Sequence, residues 1–331
     1  MKRFLIVVFV LFCVVKVNAQ TIGTTTDTIN VVYITYNESS ASAVICENIK
    51  SYVTISFNGA HVKVIQSADV SLTTCGEISY ILSGSSSNGS FYMEGSFKAT
   101  VGLKDLTLTN PNGPAINIQN GKRIEVSVKR GTTNTLTDGT STALDAWKGC
   151  FQCKGHTEFK GYGTLNIYAN YAHAIWSKEY ITIKNCTINV YKAVKDAINC
   201  NQYFAMESGE LNLSGMGDDA IQVSLKTEDT SVENTGNFTL SGGTINIDMT
   251  GATGSSIKVV GTKVAANTAT LNIVGENTAI ENVKSNVGSI TLYNLLGTKI
   301  GEFDSIEQIS QSPSGIYIMV TNQNSSKIVI P

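Results

Sequence analysis

The chain has 331 residues, 42% of them hydrophobic and 15% charged, with a formal charge of −2 at pH 7. That length supports one large or two smaller domains with a sizeable core. A weakly acidic balance offers no basic footprint, which argues against nucleic acid as a partner.

The first stretch, MKRFLIVVFVLFCVVKVNAQ, has a basic start, a short apolar run and Val17-Asn18-Ala19 ahead of Gln20. This is the pattern of a secretory signal peptide over residues 1–19, too short for a stable transmembrane helix. Cys13 follows Phe12, which is too bulky for the small residue that a lipoprotein signal carries there. No second long apolar run follows, so no membrane span is expected. Loss of Lys2, Arg3 and Lys16 takes the formal charge to −5. The expected location is outside the cell, secreted or held at the cell surface or outer envelope. Cys46, Cys75, Cys150, Cys153, Cys186 and Cys200 remain, an even set that an exported chain can pair. Cys150-x-x-Cys153 has no second pair or His cluster beside it, and reads more simply as buried thiols than as a zinc or redox site.

From Thr28 to Asn110 the chain is strand-like, with alternation in YVTISF and VGLKDLTLTN, and reads as first coils plus a cap over an open edge. Ala115-Ile116-Asn117-Ile118 and Ala143-Leu144-Asp145-Ala146 read as looser coils with longer turns. Beyond them a repeat sets in. Ala174, Ala197 and Ala220 are 23 residues apart, as are Ile175, Ile198 and Ile221. A second column keeps the same count: Leu165-Asn166-Ile167, Ile188-Asn189-Val190 and Leu211-Asn212-Leu213. A charged insertion, SLKTEDTSVENTGN, interrupts it. The repeat resumes at Ile245-Asn246-Ile247 and Leu271-Asn272-Ile273, with Ser256-Ile257 and Ala279-Ile280 in step.

Each unit holds short β-branched runs separated by Gly, Asn and Ser, without a helical period. Units of this size imply a solenoid. The expectation is an all-β chain: a right-handed parallel β-helix of about three strands per coil over residues 20–283, cap included, with coils stacked at ~4.8 Å. From Lys284 the pattern changes to SITLYNLLGTKIGEF and PSGIYIMVTNQNSSKIVIP. These read as four short strands of a small C-terminal β-module over residues 284–331, turning at Gly297, at Pro313-Ser314-Gly315 and at Asn322 to Ser325.

The run YILSGSSSNGSFYMEGSFKATVGLKDLTLTNPNGPAINIQNGKRIEV, then GTTNTLTDG and FKGYGTLNIYANYAHAI, resembles the carbohydrate-binding, pectate-lyase-like β-helix proteins common in Bacteroidetes and some clostridia. The resemblance covers about Val31 to Val283. It implies an exported parallel β-helix that binds polysaccharide, with calcium held by acidic residues near the coil turns. That family's turn usually reads Asp-Gly-Ile, whereas Ala197 and Ala220 stand at the glycine position here and add a methyl group to a tight turn. The tail, through LYNLLGTKIGEF and SGIYIMV, separately resembles a type IX secretion sorting module, which implies contact with outer-membrane secretion machinery. A plain structural cap is the alternative.

Strand alternation puts Asn166, Asn189, Asn212, Asn246 and Asn272 on one outer face. Tyr168, Tyr191, Ser214, Asp248 and Val274 follow two residues on, on the same face. Amides exchange hydrogen bonds with sugar hydroxyls, and tyrosine adds a flat apolar ring with a polar tip. Asn166, Tyr168, Asn189, Tyr191 and Asn212 are therefore candidate ligand-binding residues. The asparagines fit equally an amide ladder that only ties coils together. A second column, Trp176, Asn199, Gln222, Lys258 and Glu281, offers one tryptophan that either stacks on a sugar or is half-buried under the next turn.

His173, Asp196, Asp219 and Ser255 form a further column at one turn, with Asp218 beside it. Carboxylates one coil apart repel unless a cation lies between them. Asp196, Asp218 and Asp219 are thus candidate calcium ligands, and their alternative role is to cap backbone amides. Lys195 and Lys258 are conceivable bases for β-elimination, but nothing repeats them or sets an oxyanion donor beside them. Three functions follow in order: a non-catalytic polysaccharide-binding protein, a calcium-dependent polysaccharide lyase, and a structural or adhesive surface protein.

Overall fold

A computed structural model describes residues 21–26, 29–67, 77–140, 147–276, 290–303, 306–309, 312–320 and 325–330. The signal-peptide stretch, Cys75, Ala143 to Ala146, Ala279-Ile280 and Glu281 lie outside the described residues. Two compact units divide the chain, Met1–Asn277 and Thr278–Pro331, so the boundary falls a few residues before Lys284.

In the larger unit the regular structure of the described residues is β-strand, apart from a 3-10 helix at Glu47–Tyr52. The chain visits three parallel ladders in turn, and each coil contributes one strand to each. The first ladder stacks Thr164–Tyr168, Thr187–Lys192, Glu210–Leu213, Thr244–Asp248 and Thr270–Val274. The second stacks Thr157–Gly161, Ile181–Lys184, Tyr203–Met206, Asn237–Leu240 and Lys263–Ala265. The third stacks Gly149–Cys153, His173–Ser177, Ile198–Asn201, Ile221–Ser224 and Ile257–Val259. Upstream, the long strand Ala99–Asn110 pairs by its first half with Ile124–Val128 and by its second with Thr133–Asp138. It thereby joins the first two ladders into one 17-stranded sheet, and the third belongs to a nine-stranded sheet.

The 23-residue count works because in-register parallel pairing places each residue over its equivalent one coil away. Ile175, Ile198 and Ile221 pair directly, all buried. Phe204 and Phe238 stack in the core with centroids 5.3 Å apart. Upstream the register departs from the sequence reading: Ile116 pairs with Phe151, and Phe151 with Ile175. The strand that continues the third ladder is therefore Gly149–Cys153. An aromatic fills that inward position, which hid it from a search for Ala-Ile steps.

Corners require residues that turn sharply. Gly161 adopts φ +121°, and a β-carbon there would lie 2.0 Å from the Val128 carbonyl oxygen. Ala197 and Ala220, by contrast, are not among the residues of positive φ. Their methyls are buried, and their amides donate to the carbonyls of Asp219 and Ser255. This turn does not demand glycine, so the alanines sit in it without strain.

The first strands differ in kind. Val31–Asn37 and Ser40–Cys46 form an antiparallel hairpin, as do Val53–Asn58 and Ala60–Gln66. Each hairpin then pairs in parallel with a later strand, Ile78–Ser86 or Gly89–Gly95. Cys46, Cys150, Cys153, Cys186 and Cys200 are all buried and unpaired.

In the smaller unit, Ile290–Asn294, Lys299–Phe303, Gly315–Val320 and Ser325–Ile330 form a four-stranded antiparallel sheet, with a short helix at Ile306–Ile309. Ile290, Leu292, Ile309, Tyr317 and Ile330 make its own small core. Gly297, at φ +79°, closes the first hairpin.

Candidate functional site

Outward positions on the first ladder carry the asparagines. Asn189 Nδ2 donates to Asn166 Oδ1 at 2.8 Å and Asn212 Nδ2 to Asn189 Oδ1 at 2.8 Å. Asn246 continues to Asn212, and Asn272 to Asn246, each at 2.7 Å. Each inner amide thus spends one N–H and one acceptor site along the ladder. An amide carries two N–H groups and two acceptor lone pairs, so Asn189 and Asn246 keep half their capacity. Asn212 also donates to Glu210 Oε1 at 3.2 Å.

Beside this ladder stand Tyr168 and Tyr191, 38% and 48% exposed. Their rings stack with centroids 5.2 Å apart and planes 20° from parallel. A register shift pairs Tyr168 with Lys192, and the rings stand against each other. Tyr191 then borders a groove of about 300 Å³ that also takes in Asn212, Ser214, Asn246, Asp248, Asn272 and Val274. Tyr168 backs Tyr191 from the other side. Hydrogen bonds from Thr250 hold the Asp248 carboxyl below its ordinary range, so the groove has an anionic end.

The turn column forms a different ladder. The Asp219 amide donates to Asp196 Oδ1 at 3.2 Å, and the Ser255 amide to Asp219 Oδ1 at 2.8 Å. Each aspartate caps the coil after its own. The Asp196 amide and Asp196 Oδ2 both face His173 Nδ1, at 3.3 and 3.2 Å: a neutral imidazole accepts there and a protonated one donates. Asp196 Oδ2 also receives Asn199 Nδ2 at 2.7 Å, and Asp219 Oδ2 receives the Lys258 ammonium at 2.9 Å. Asp196 and Asp219 are each only 1% exposed. Carboxylate oxygens of Asp196, Asp218 and Asp219 lie within 4.8 Å of one another.

Burial opposes ionisation of Asp196, but the bonds from His173 and Asn199 outweigh it and hold its carboxyl below the ordinary range. Burial and then the charges of Asp219 and Asp196 push Asp218 up. The hydrogen bond to Asp219, reinforced by its charge, raises Lys258. Three hard oxygen donors suit calcium, although the Lys258 ammonium already supplies one positive charge to Asp219.

Trp176 is half-buried on the third ladder, between Gln152 and Asn199 in register, with the Lys148 ammonium 4.9 Å from its ring centre. Next along that column, Asn199 Nδ2 donates to Gln222 Oε1 at 3.0 Å. Lys195 is exposed beside Asp196. The charged insertion is tied to residues just after strands of the third ladder: Lys226 pairs with Glu179, and Gln202 Nε2 donates to Asp229 Oδ2 at 2.6 Å.

Two features escaped the sequence reading. His156, Tyr180 and Tyr203 stack at 4.1 and 4.6 Å; the 23-residue step between the tyrosines was a signal that could have found them. Asp138 is buried, bonded to the Asn170 amide and, at 3.4 Å, to the Trp147 indole N–H. Burial pushes its carboxyl up to about 6 against those hydrogen bonds. Nothing in its spacing marked it.

A family model described as "Carbohydrate-binding domain-containing protein" matches residues 66–317. The fold is similar to the solved "polysaccharide lyase-like protein from C. thermocellum", in its gadolinium derivative, at 20% identity and a TM-score of 0.52. That likeness covers 74% of this chain and 97% of the other. No curated protein matches the sequence.

Proposed function

Because the chain belongs to the carbohydrate-binding domain-containing family, we propose that it is an exported, non-catalytic polysaccharide-binding protein whose ligand lies along the amide and tyrosine face. The observation that carries this reading is the continuous asparagine ladder running beside an exposed tyrosine stack into an open groove. Spare amide acceptors recur once per coil, with spare N–H groups at Asn189 and Asn246, which matches a ligand whose hydroxyls recur along an extended chain. The free face of Tyr191 gives a sugar ring an apolar surface, and Tyr168 fixes that ring's angle. A shallow open groove suits holding a polymer more than turning it over. The coils would wind right-handed, as parallel strands joined within one sheet nearly always do.

Calcium belongs to the same proposal. Asp196, Asp218 and Asp219 would hold it, with the ion in place of Lys258 at Asp219, and it would supply counter-charge to a crowded acidic turn. Against a lyase stands the engagement of Lys258: an ammonium bonded to Asp219, with its pKa raised, is a poor base at neutral pH.

The test is retention of the full chain on insoluble polysaccharides, with and without chelator. Tyr191→Ala should elute at least tenfold more weakly retained, and Tyr168→Ala should show a smaller loss. Unchanged retention of Tyr191→Ala on every polymer that holds the parent would overturn the assignment of this face. Release of unsaturated product from polygalacturonate would replace binding by the lyase reading.

A further inference from the structure

We propose a second, separate binding site among the first strands, shaped for a single uncharged sugar residue such as a chain end or branch. Three turns meet there. The hairpin turn at Glu38-Ser39, the hairpin turn at Asn58-Gly59 and the Ser87-Asn88 turn together line an open pocket of about 370 Å³. They touch one another: a β-carbon on Gly59 would lie 3.2 Å from the Ser39 carbonyl oxygen, and one on Gly89 2.9 Å from that of Ala60. The volume is at the low end of small-ligand pockets, about 300–1,000 Å³.

The lining decides the chemistry. Ala60 is the one apolar side chain, and Glu38, Ser39, Asn58, His61, Ser87 and Asn88 supply the rest. Most of that polar capacity is unspent. Glu38 Oε1 accepts from Ser85 Oγ at 2.9 Å, leaving Oε2 open. His61 Nδ1 bonds Ser90 Oγ at 2.9 Å, leaving Nε2 open. Among the described residues, the side-chain amides of Asn58 and Asn88 have no protein partner, while the Asn88 backbone amide donates to Ser86 Oγ. An anionic ligand would meet the Glu38 carboxylate, and a purely apolar one would strip water from the six polar side chains without pairing them. A neutral molecule rich in hydroxyls fits both limits.

Glu38 itself adds a second observation. The first central residue of each hairpin turn takes a left-handed conformation, Gly59 at φ +60° and Glu38 at φ +49°. Glycine adopts it freely, whereas a residue with a β-carbon does so at a cost. The Ser85 carbonyl accepts the Glu38 amide, and Ser86 Oγ donates to the Glu38 carbonyl, so the neighbouring strand holds the carboxylate over the pocket. Strain of this kind concentrates at ligand sites. The pocket is also built by residues that lie before the family match at 66–317, apart from Ser87 and Asn88.

The experiment is ligand-observed NMR and calorimetry on the full chain with the methyl glycosides of glucose, galactose, mannose and xylose. At least one should bind saturably. An Asn58→Ala, Asn88→Ala double variant should bind it at least tenfold more weakly with an unchanged melting temperature. Glu38→Gln, which keeps an acceptor for Ser85, should also weaken it and serves if the double variant misfolds. Tyr191→Ala should lose polymer retention and still bind the glycoside, which separates failure of this site from failure of the groove. No binding of any of the four glycosides, or equal binding by parent and variants, would overturn the proposal.

Discussion

The two polar ladders of the larger unit solve one problem with opposite chemistry. The asparagine ladder is self-sufficient: an amide both donates and accepts, so identical residues satisfy each other from Asn166 to Asn272. The aspartate ladder is not, because a carboxylate only accepts. Asp196 and Asp219 must borrow donors from the next coil's backbone, from Asn199 and from Lys258. The first ladder can therefore extend unchanged through five coils and leave spare capacity for a ligand. The second stops after two acids, with His173 before it and Ser255 after it.

The harshest way to break that contrast is to remove the scaffold common to both. Ile198→Asp buries an unpaired charge between Ile175 and Ile221, costing several kcal/mol by order of magnitude. Chemical denaturation should show loss of cooperative folding at room temperature. Retention of the parental midpoint would mean that the third ladder's inner column is not a packed core.

Next in size, single rungs separate the two ladders from each other. Asp196→Ala strips the acceptor from the Asp219 amide at a buried turn and should cost about 2–3 kcal/mol. Asn189→Ala removes two amide bonds on a half-open face, where water can replace them, and should cost about 1 kcal/mol. Urea titration of both variants measures the difference. Equal losses would show that the amide ladder is as shielded from water as the acidic turn.

The smallest effect sharpens the role of charged donors. Asp138 lacks any ammonium partner within hydrogen-bonding reach, and burial raises its carboxyl to about 6. Its unfolded value is about 3.9. Between these values the native state holds the extra proton, so this group's contribution to stability falls as pH rises from about 4 to 6 and is flat above. Asp138→Asn, which retains an acceptor for the Asn170 amide, should gain about 1 kcal/mol at pH 7 and nothing below about pH 4. Denaturation at the two pH values reads it. A gain that persists at low pH would place its origin in packing instead of charge.

Much of the larger unit could be read from the amino acids because parallel in-register stacking converts sequence interval into spatial adjacency. Twenty-three residues along the chain is one coil across, so Ile175 over Ile198, Asn166 over Asn189 and Asp196 beside Asp219 were all visible as columns. Alternation along each strand then sorted inside from outside. Only the tertiary structure could settle what depends on side-chain angle and on departures from the period. The step from Tyr168 to Tyr191 keeps the 23-residue count, yet a local register shift pairs Tyr168 with Lys192, and the two rings stack. Lys258 reaches Asp219 from 39 residues away, across a strand, and no spacing encodes that. Near the N-terminus the antiparallel hairpins have no repeat at all. Their turns meet although one hairpin belongs to the 17-stranded sheet and the other to the nine-stranded sheet, so the convergence of Glu38, Asn58 and Asn88 is a property of the fold and not of any interval in the chain.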